Sequence, residues 1–251
     1  MDSGSSGAGF NADSGDDGAT ESSQNDDSST AGDVSSTFSE WVEAESGQMM
    51  NGANARTCGA AGDGQYGADT NCAPDTLTDG ATCCSAGKLV NNILGAAGAA
   101  CFGQPLTCGS GIVLTVSAPT AGMYDVTWWY HCGGSDGYQD TNCGGLRYDA
   151  GVPGLCRPHM IVVNGALQAG AEAADKYYQF PCYATSWALI HPVVTALPLI
   201  AGSNTIYIHA PNDYESAGVD DGLDAADLDV IHVTAVGQGV GIRVTPVAGA
   251  N

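Results

Sequence analysis

Glu43 and Glu45, in "WVEAESG" (41–47), are the first residues whose type and spacing point to chemistry. Residues two apart on a strand project from one face, so the two carboxylates would stand side by side. Two readings fit. One is a half-buried strand with Val42 and Ala44 inward and Trp41, Glu43 and Glu45 in water. The other is a pair of hard oxygen ligands for a cation. A second acidic run, "NDYESAGVDDGLDAADLD" (212–229), holds Asp213, Glu215, Asp220, Asp221, Asp224 and Asp227. Residues 213–224 partly mimic an EF-hand loop, with Gly218 at the turn. Ala217 replaces a ligand, however, Asp224 stands where Glu belongs, and no flanking helices are evident. A solvated acidic loop, a second cation or a polar rim all remain open for that run.

Other catalytic patterns are missing. A glycosidase needs carboxylates on opposite sides of a bond, and Glu43 and Glu45 are neighbours. The five His are scattered, with no H-E-x-x-H, and there is no G-x-S-x-G elbow or phosphate loop. The expectation is a binding protein and not an enzyme.

The whole chain is acidic, with 28 Asp and Glu against 6 Lys and Arg and a formal net charge of -22 over 251 residues. Such a surface repels phosphate backbones and anionic membranes and favours cations. Nucleic acid is therefore not an expected partner. No apolar run is long enough to span a bilayer, so no membrane insertion is expected. The ten cysteines include no C-x-x-C pair. They read as disulfides formed in an oxidising compartment, with the adjacent Cys83 and Cys84 pairing outward and not with each other. A secreted or cell-surface location follows. Met1 is followed directly by a polar tract, so a removed leader is expected.

Residues 1–38 are rich in Ser, Gly, Asp and Ala, with no Lys, Arg or Cys. They read as a disordered, self-repelling tether that buries too little apolar surface to fold. From residue 39 to 251 the pattern is strands and turns. "GIVLTVSA" (111–118) alternates, "PTAG" turns, and "MYDVTWWYHC" (123–132) alternates again with Tyr124, Val126, Trp128 and Tyr130 on one face. Trp129 points the other way, as an aromatic platform or under a disulfide loop. "HMIVVNG" (159–165) ends in a tight-turn Asn-Gly. "WALIHPVVTALPL" (187–199) is apolar and broken by prolines. "AGSNTIYIHA" (201–210), "LDVIHVTAV" (228–236) and "GIRVTPV" (241–247) complete the set. A short Ala-rich piece near 166–175 is the sole competing helical pattern. The fold class is all-β, a β-sandwich, with cysteine-rich insertions at about 51–108 and 132–158. Both are read as long loops with little core of their own.

The order of these segments resembles the carbohydrate-binding modules of families 6 and 35. These are lectin-like β-sandwiches, jelly rolls of the galactose-binding type. "VEAES" resembles their first strand, and "GIVLTVSAPTAGMYDVTWWYH" their strand, "p-aG-Y" turn and next strand. "IVVNG" resembles their central hairpin, and "SWALIHPVVTALPLIAGSNTIYI" their Trp segment with "v-L-aG-NtI". "ADLDVIHV" resembles their closing strand. The likeness covers roughly residues 40–236. It implies a structural calcium held by Glu43, Glu45 and Asp229. It also implies a polysaccharide or glycan partner, bound at a loop-end site with Trp187 as the stacking ring and Asp227 as a hydroxyl partner. Asn91 lies near where another loop contributor is expected. Tyr214, Tyr66 and Tyr183 are further aromatic candidates. Asp227 stands where Asn is common, and an ionised Asp accepts hydrogen bonds without donating. The runner-up is a structural or adhesive subunit using the same sandwich without sugar.

Overall fold

The structure is a computed structural model describing residues 37–58, 72–91, 93, 110–131, 155–167, 176–182, 189–209 and 227–248. All belong to one compact unit, Ala31–Asn251. Most of the expected tether, the Ala-rich piece beyond residue 167 and the acidic segment 213–224 lie outside these residues.

Among the described residues fourteen strands run in order. They are β1 (Ser39–Glu43), β2 (Gln48–Met50), β3 (Asn54–Thr57), β4 (Lys88–Asn91), β5 (Gly111–Ala118), β6 (Gly122–His131) and β7 (Leu155–Val163), then β8 (Ala166–Leu167), β9 (Lys176–Cys182), β10 (Ile190–Leu199), β11 (Gly202–His209), β12 (Asp227–Ala235), β13 (Ile242–Arg243) and β14 (Val247–Ala248). One seven-stranded sheet has the order β13-β10-β6-β12-β4-β3, with β1 also against β12. The other has the order β14-β9-β7-β11-β5-β2, with β8 on β7. Among the described residues there are two short 3-10 turns, Ala44–Ser46 and Pro74–Thr76, and no α-helix.

Alternation decides which side chains meet between the sheets. Tyr124, Val126, Trp128 and Tyr130 of β6 face Ile112, Leu114 and Val116 of β5, Ile206 and Ile208 of β11, and Phe180 of β9. This is the inter-sheet core of a β-sandwich. Its large polar-tipped rings are satisfied, as buried groups must be. The Trp128 indole N–H donates to Thr195 Oγ1 at 2.8 Å, and the Tyr124 hydroxyl donates to the Thr120 carbonyl at 2.7 Å. Phe38 lies at the end of the expected tether. It packs edge-on against Tyr124, with ring centroids 5.4 Å apart.

The turn motifs are used as their residues require. Asn164 and Gly165 have φ of 49° and 82°, the left-handed pair that a two-residue hairpin needs. Asn164 Oδ1 accepts from Thr205 N at 2.9 Å, and its Nδ2 donates to Asn204 Oδ1 at 2.8 Å. Asn204 also ties the turn before β11, donating to the Ile200 carbonyl and accepting from Ile200 N.

Three expectations are corrected. The prolines do not break 187–199, because β10 continues through Pro192 and Pro198. Among the described residues its outer side is paired at Ile190, Val193 and Val194 and not at either proline, and an unpaired edge position needs no N–H. The stretch 51–108 is not all loop: β3 and β4 join the first sheet, with Leu89 and Val90 fully buried. The stretch 132–158 likewise includes the start of β7.

After β12 the chain doubles back over the outer face of the first sheet. There Asp125 Oδ2 accepts from Gly237 N (2.7 Å), Gly239 N (3.1 Å) and Arg243 Nη2 (2.7 Å). A Cβ on Gly239 would meet Val194 Cγ1 at 2.7 Å, so this close approach needs glycine. Burial pushes the Asp125 carboxyl up, but the bonds from Arg243, Gly239 and Gly237 outweigh it and hold it below the ordinary value. Its contribution is therefore present above the unfolded value and lost as pH falls through the lower folded one. Asp125→Ala should cost about 3 kcal/mol at neutral pH, at the low end for a broken buried pair because Arg243 is partly exposed. Urea melts at pH 7 and pH 3 check this, since the gap between variant and parent should narrow at pH 3.

Candidate functional site

The outer face of the first sheet carries a second apolar cluster of Trp129 on β6, Ile190 on β10 and Val230 on β12, with Leu77 and Cys83 from the loop above. That loop, 72–85, is fastened to the face. Gly80 N donates to the Ile190 carbonyl and Ile190 N to the Ala81 carbonyl, both at 2.9 Å. Asp79 Oδ1 lies 2.7 Å from His191 Nδ1. Disulfides join Cys72 to Cys83 and Cys58 to Cys84, so the adjacent cysteines pair outward as their geometry requires. Trp129 thus lies under the disulfide loop, 3% exposed, and is no platform.

At the end of that loop, Ser85 reaches the acidic residues. Its N–H donates to both oxygens of Asp229, at 3.0 and 2.9 Å. Its hydroxyl donates to Glu43 Oε1 at 2.5 Å. Asp229 is aimed there by a β-bulge. Leu228 pairs with Tyr130 and Val230 with Trp129, which leaves Asp229 as the extra residue. The same bulge ends β1 at Glu43, opposite Val230. The chain then turns through Ala44–Ser46, burying Ala44 in the main core. Glu45 is therefore in a turn and not on a strand face with Glu43, which corrects the simple alternation.

The three carboxylates still act on one another. Burial pushes the Asp229 carboxyl up to about 8; Ser85 opposes this and the charges of Glu43 and Glu45 add to it. Burial also raises Glu43, against the Ser85 hydrogen bond and with the Glu45 charge. Glu43 Oε2 and Glu45 Oε2 are buried with no hydrogen-bond partner among the described residues. Hard oxygen donors, mutual repulsion and orphaned buried oxygens fit calcium in donor chemistry. Among the described residues, however, no three or more His, Cys, Asp and Glu side chains form a closed metal-binding group.

Asp227 begins β12 opposite His131 and is buried. Asn91 is buried on β4, next to the Val90–Leu228 pair, so the antiparallel register carries it toward Asp227. With its amide oriented to satisfy both ends, Asn91 donates to Asn54 Oδ1 at 2.8 Å and accepts from Arg56 Nη1 at 3.0 Å. Ile190, three residues after Trp187, also pairs with His131. Trp187, Tyr214, Tyr66 and Tyr183 lie outside the described residues. Ser85 carried no signal in the sequence beyond its place after Cys83 and Cys84.

Family 35 carbohydrate-binding modules are among the solved structures that this chain resembles. A native family 35 module from Clostridium thermocellum is 17% identical with a TM-score of 0.44, over 79% of this chain and 99% of that one. A family 35 module from Paenibacillus barcinonensis is 17% identical with a TM-score of 0.42, over 78% and 98%. An exo-β-1,3-galactanase from Phanerochaete chrysosporium is 18% identical with a TM-score of 0.42, over 78% of this chain and 29% of that one. No family model matches the chain, and no curated protein does. The β-sandwich is defined by the strand pairing and the core described above. Among the described residues no helix is long and apolar enough to cross a membrane.

Proposed function

We propose that the chain is a non-catalytic carbohydrate-binding module of an exported or cell-surface protein, stabilised by calcium. One observation carries the reading. Of Glu43, Glu45 and Asp229, which the sequence resemblance names as a ligand set, Glu43 and Asp229 share Ser85 as a hydrogen-bond donor, and the charge of Glu45 acts on both. Calcium, when bound, would supply the positive charge that this buried acidic group lacks. Glu43 at the end of β1 and Asp229 at the bulge of β12 would then hold the two strands together.

The glycan would bind at the end of the sandwich where β6 finishes and β12 begins. Sugars present an apolar face with a rim of hydroxyls, so an aromatic ring with a few polar neighbours suits them. Trp187 is the proposed ring, with Asp227, Asn91 and Tyr214 around it. A glycan-array screen with calcium and with EDTA tests the reading. For a hit, Trp187→Ala should weaken binding by roughly tenfold to more than a hundredfold with melting nearly unchanged, as loss of about 1–3 kcal/mol implies. A large fall in melting temperature, or unchanged binding, would remove Trp187 from the site.

A structural or adhesive role is the second reading, and one observation favours it. Met123, Ile200 and Val236 are 45%, 55% and 52% exposed. They sit at the ends of adjacent strands β6, β10 and β12, away from His131 and Asp227. Exposed apolar side chains in one place mark contact surfaces. A concentration-dependent dimer without any glycan hit would favour that role.

A further inference from the structure

We propose that Ser85 is the positioning residue of the carboxylate group, and that the disulfides Cys58–Cys84 and Cys72–Cys83 set its calcium affinity through Ser85. This rests on the calcium reading above. Ser85 is fully buried, and both of its donors are committed, the N–H to Asp229 and the hydroxyl to Glu43. One residue therefore orients carboxylates from β12 and β1. It engages Oε1 of Glu43 and leaves Oε2, which has no partner among the described residues. Donors that orient metal ligands commonly govern affinity although they never touch the ion.

What holds Ser85 is covalent. The two residues before it are both disulfide-bonded, Cys84 to Cys58 just beyond β3 and Cys83 to Cys72. Cys72 N donates to the Cys84 carbonyl at 2.9 Å, and Lys88 N to the Ser85 carbonyl at 3.1 Å. Between them, Ala86 and Gly87 are left-handed, with φ of 49° and 68°. Ser85 is thus fixed from both sides at the entry to β4. A small dithiol reductant delivers two electrons and two protons to each disulfide, giving two thiols and one oxidised dithiol. The loops of 26 and 11 residues then regain chain freedom. Ser85 must be placed again at each binding event, and the affinity falls by that amount.

The test is calorimetric titration of the full chain with calcium chloride, together with melting in calcium and in EDTA. The oxidised parent, Ser85→Ala and the double variant Cys58→Ala/Cys84→Ala are compared. Both variants should bind calcium roughly ten- to a hundredfold more weakly, and the calcium-minus-EDTA melting difference should shrink. Asp125→Ala is the control for plain destabilisation: it should lower both melts and leave the difference intact. If the oxidised parent takes up no calcium, the calcium reading falls and this one with it. If the parent binds and both variants keep its affinity within about threefold, Ser85 is not a positioning residue, while the calcium reading stands. Should the cysteine variant fail to fold, Ser85→Ala decides alone, because it keeps both disulfides.

Discussion

EDTA should lower the melting temperature of this protein, and calcium added back should restore it. The expected size follows from mass action, since an ion bound only by the folded state stabilises it in proportion to the logarithm of its excess. At a hundredfold excess over the dissociation constant the gain is about 3 kcal/mol, and at a thousandfold about 4 kcal/mol. For a domain of this size that is roughly 5–15 °C. Asp229→Asn should remove most of the difference by replacing the anionic ligand at the bulge. In EDTA the same variant should melt close to the parent, because burial already pushes the Asp229 carboxyl up to about 8. Glu45→Gln should also remove most of the calcium effect. Equal melts in calcium and EDTA, with elemental analysis showing the ion gone, would end the calcium reading.

Trp129→Ala should unfold more readily than the parent, by about 3–5 kcal/mol, the usual cost of emptying a large aromatic site. Trp129 fills the space between β6 and the disulfide loop, against Leu77, Cys83, Ile190 and Val230. Its removal opens a cavity that the cross-linked loop cannot close by collapsing. Trp129→Phe should cost less than half as much. It keeps most of the contact and drops an indole N–H that has no partner among the described residues. Urea unfolding of both variants under oxidising conditions measures the two costs. A Trp129→Ala curve that superimposes on the parent would mean that the loop does not pack on this face.

These two variants mark where sequence reading reaches its limit. Tyr124, Val126, Trp128 and Tyr130 alternate in the chain and share the inter-sheet core. The period of a strand decides a face by itself, so that core was legible. Asn164-Gly165 was legible because few residue pairs adopt its backbone cheaply. The outward pairing of Cys83 and Cys84 followed from the span that a disulfide needs. All three are local properties, complete within a few residues.

Trp129 was ambiguous because alternation says which face a ring takes, not what covers it. The cover is a loop some 50 residues earlier in the chain. The passage of β10 through Pro192 and Pro198 depended on its neighbours, because only an edge spares a missing donor. Glu45 left the strand for a reason found in β12, where the bulge at Asp229 ends the ladder to β1. Ser85 joins the site through bonds to Glu43 and Asp229 that lie 42 and 144 residues away in the chain. By itself the sequence determined the strands, the tight turns and the acidic residues available to hold a cation. The tertiary structure alone decided what each face lies against and which distant groups meet. Burial and electrostatic coupling depend on distance through space, and strand periodicity carries no record of it.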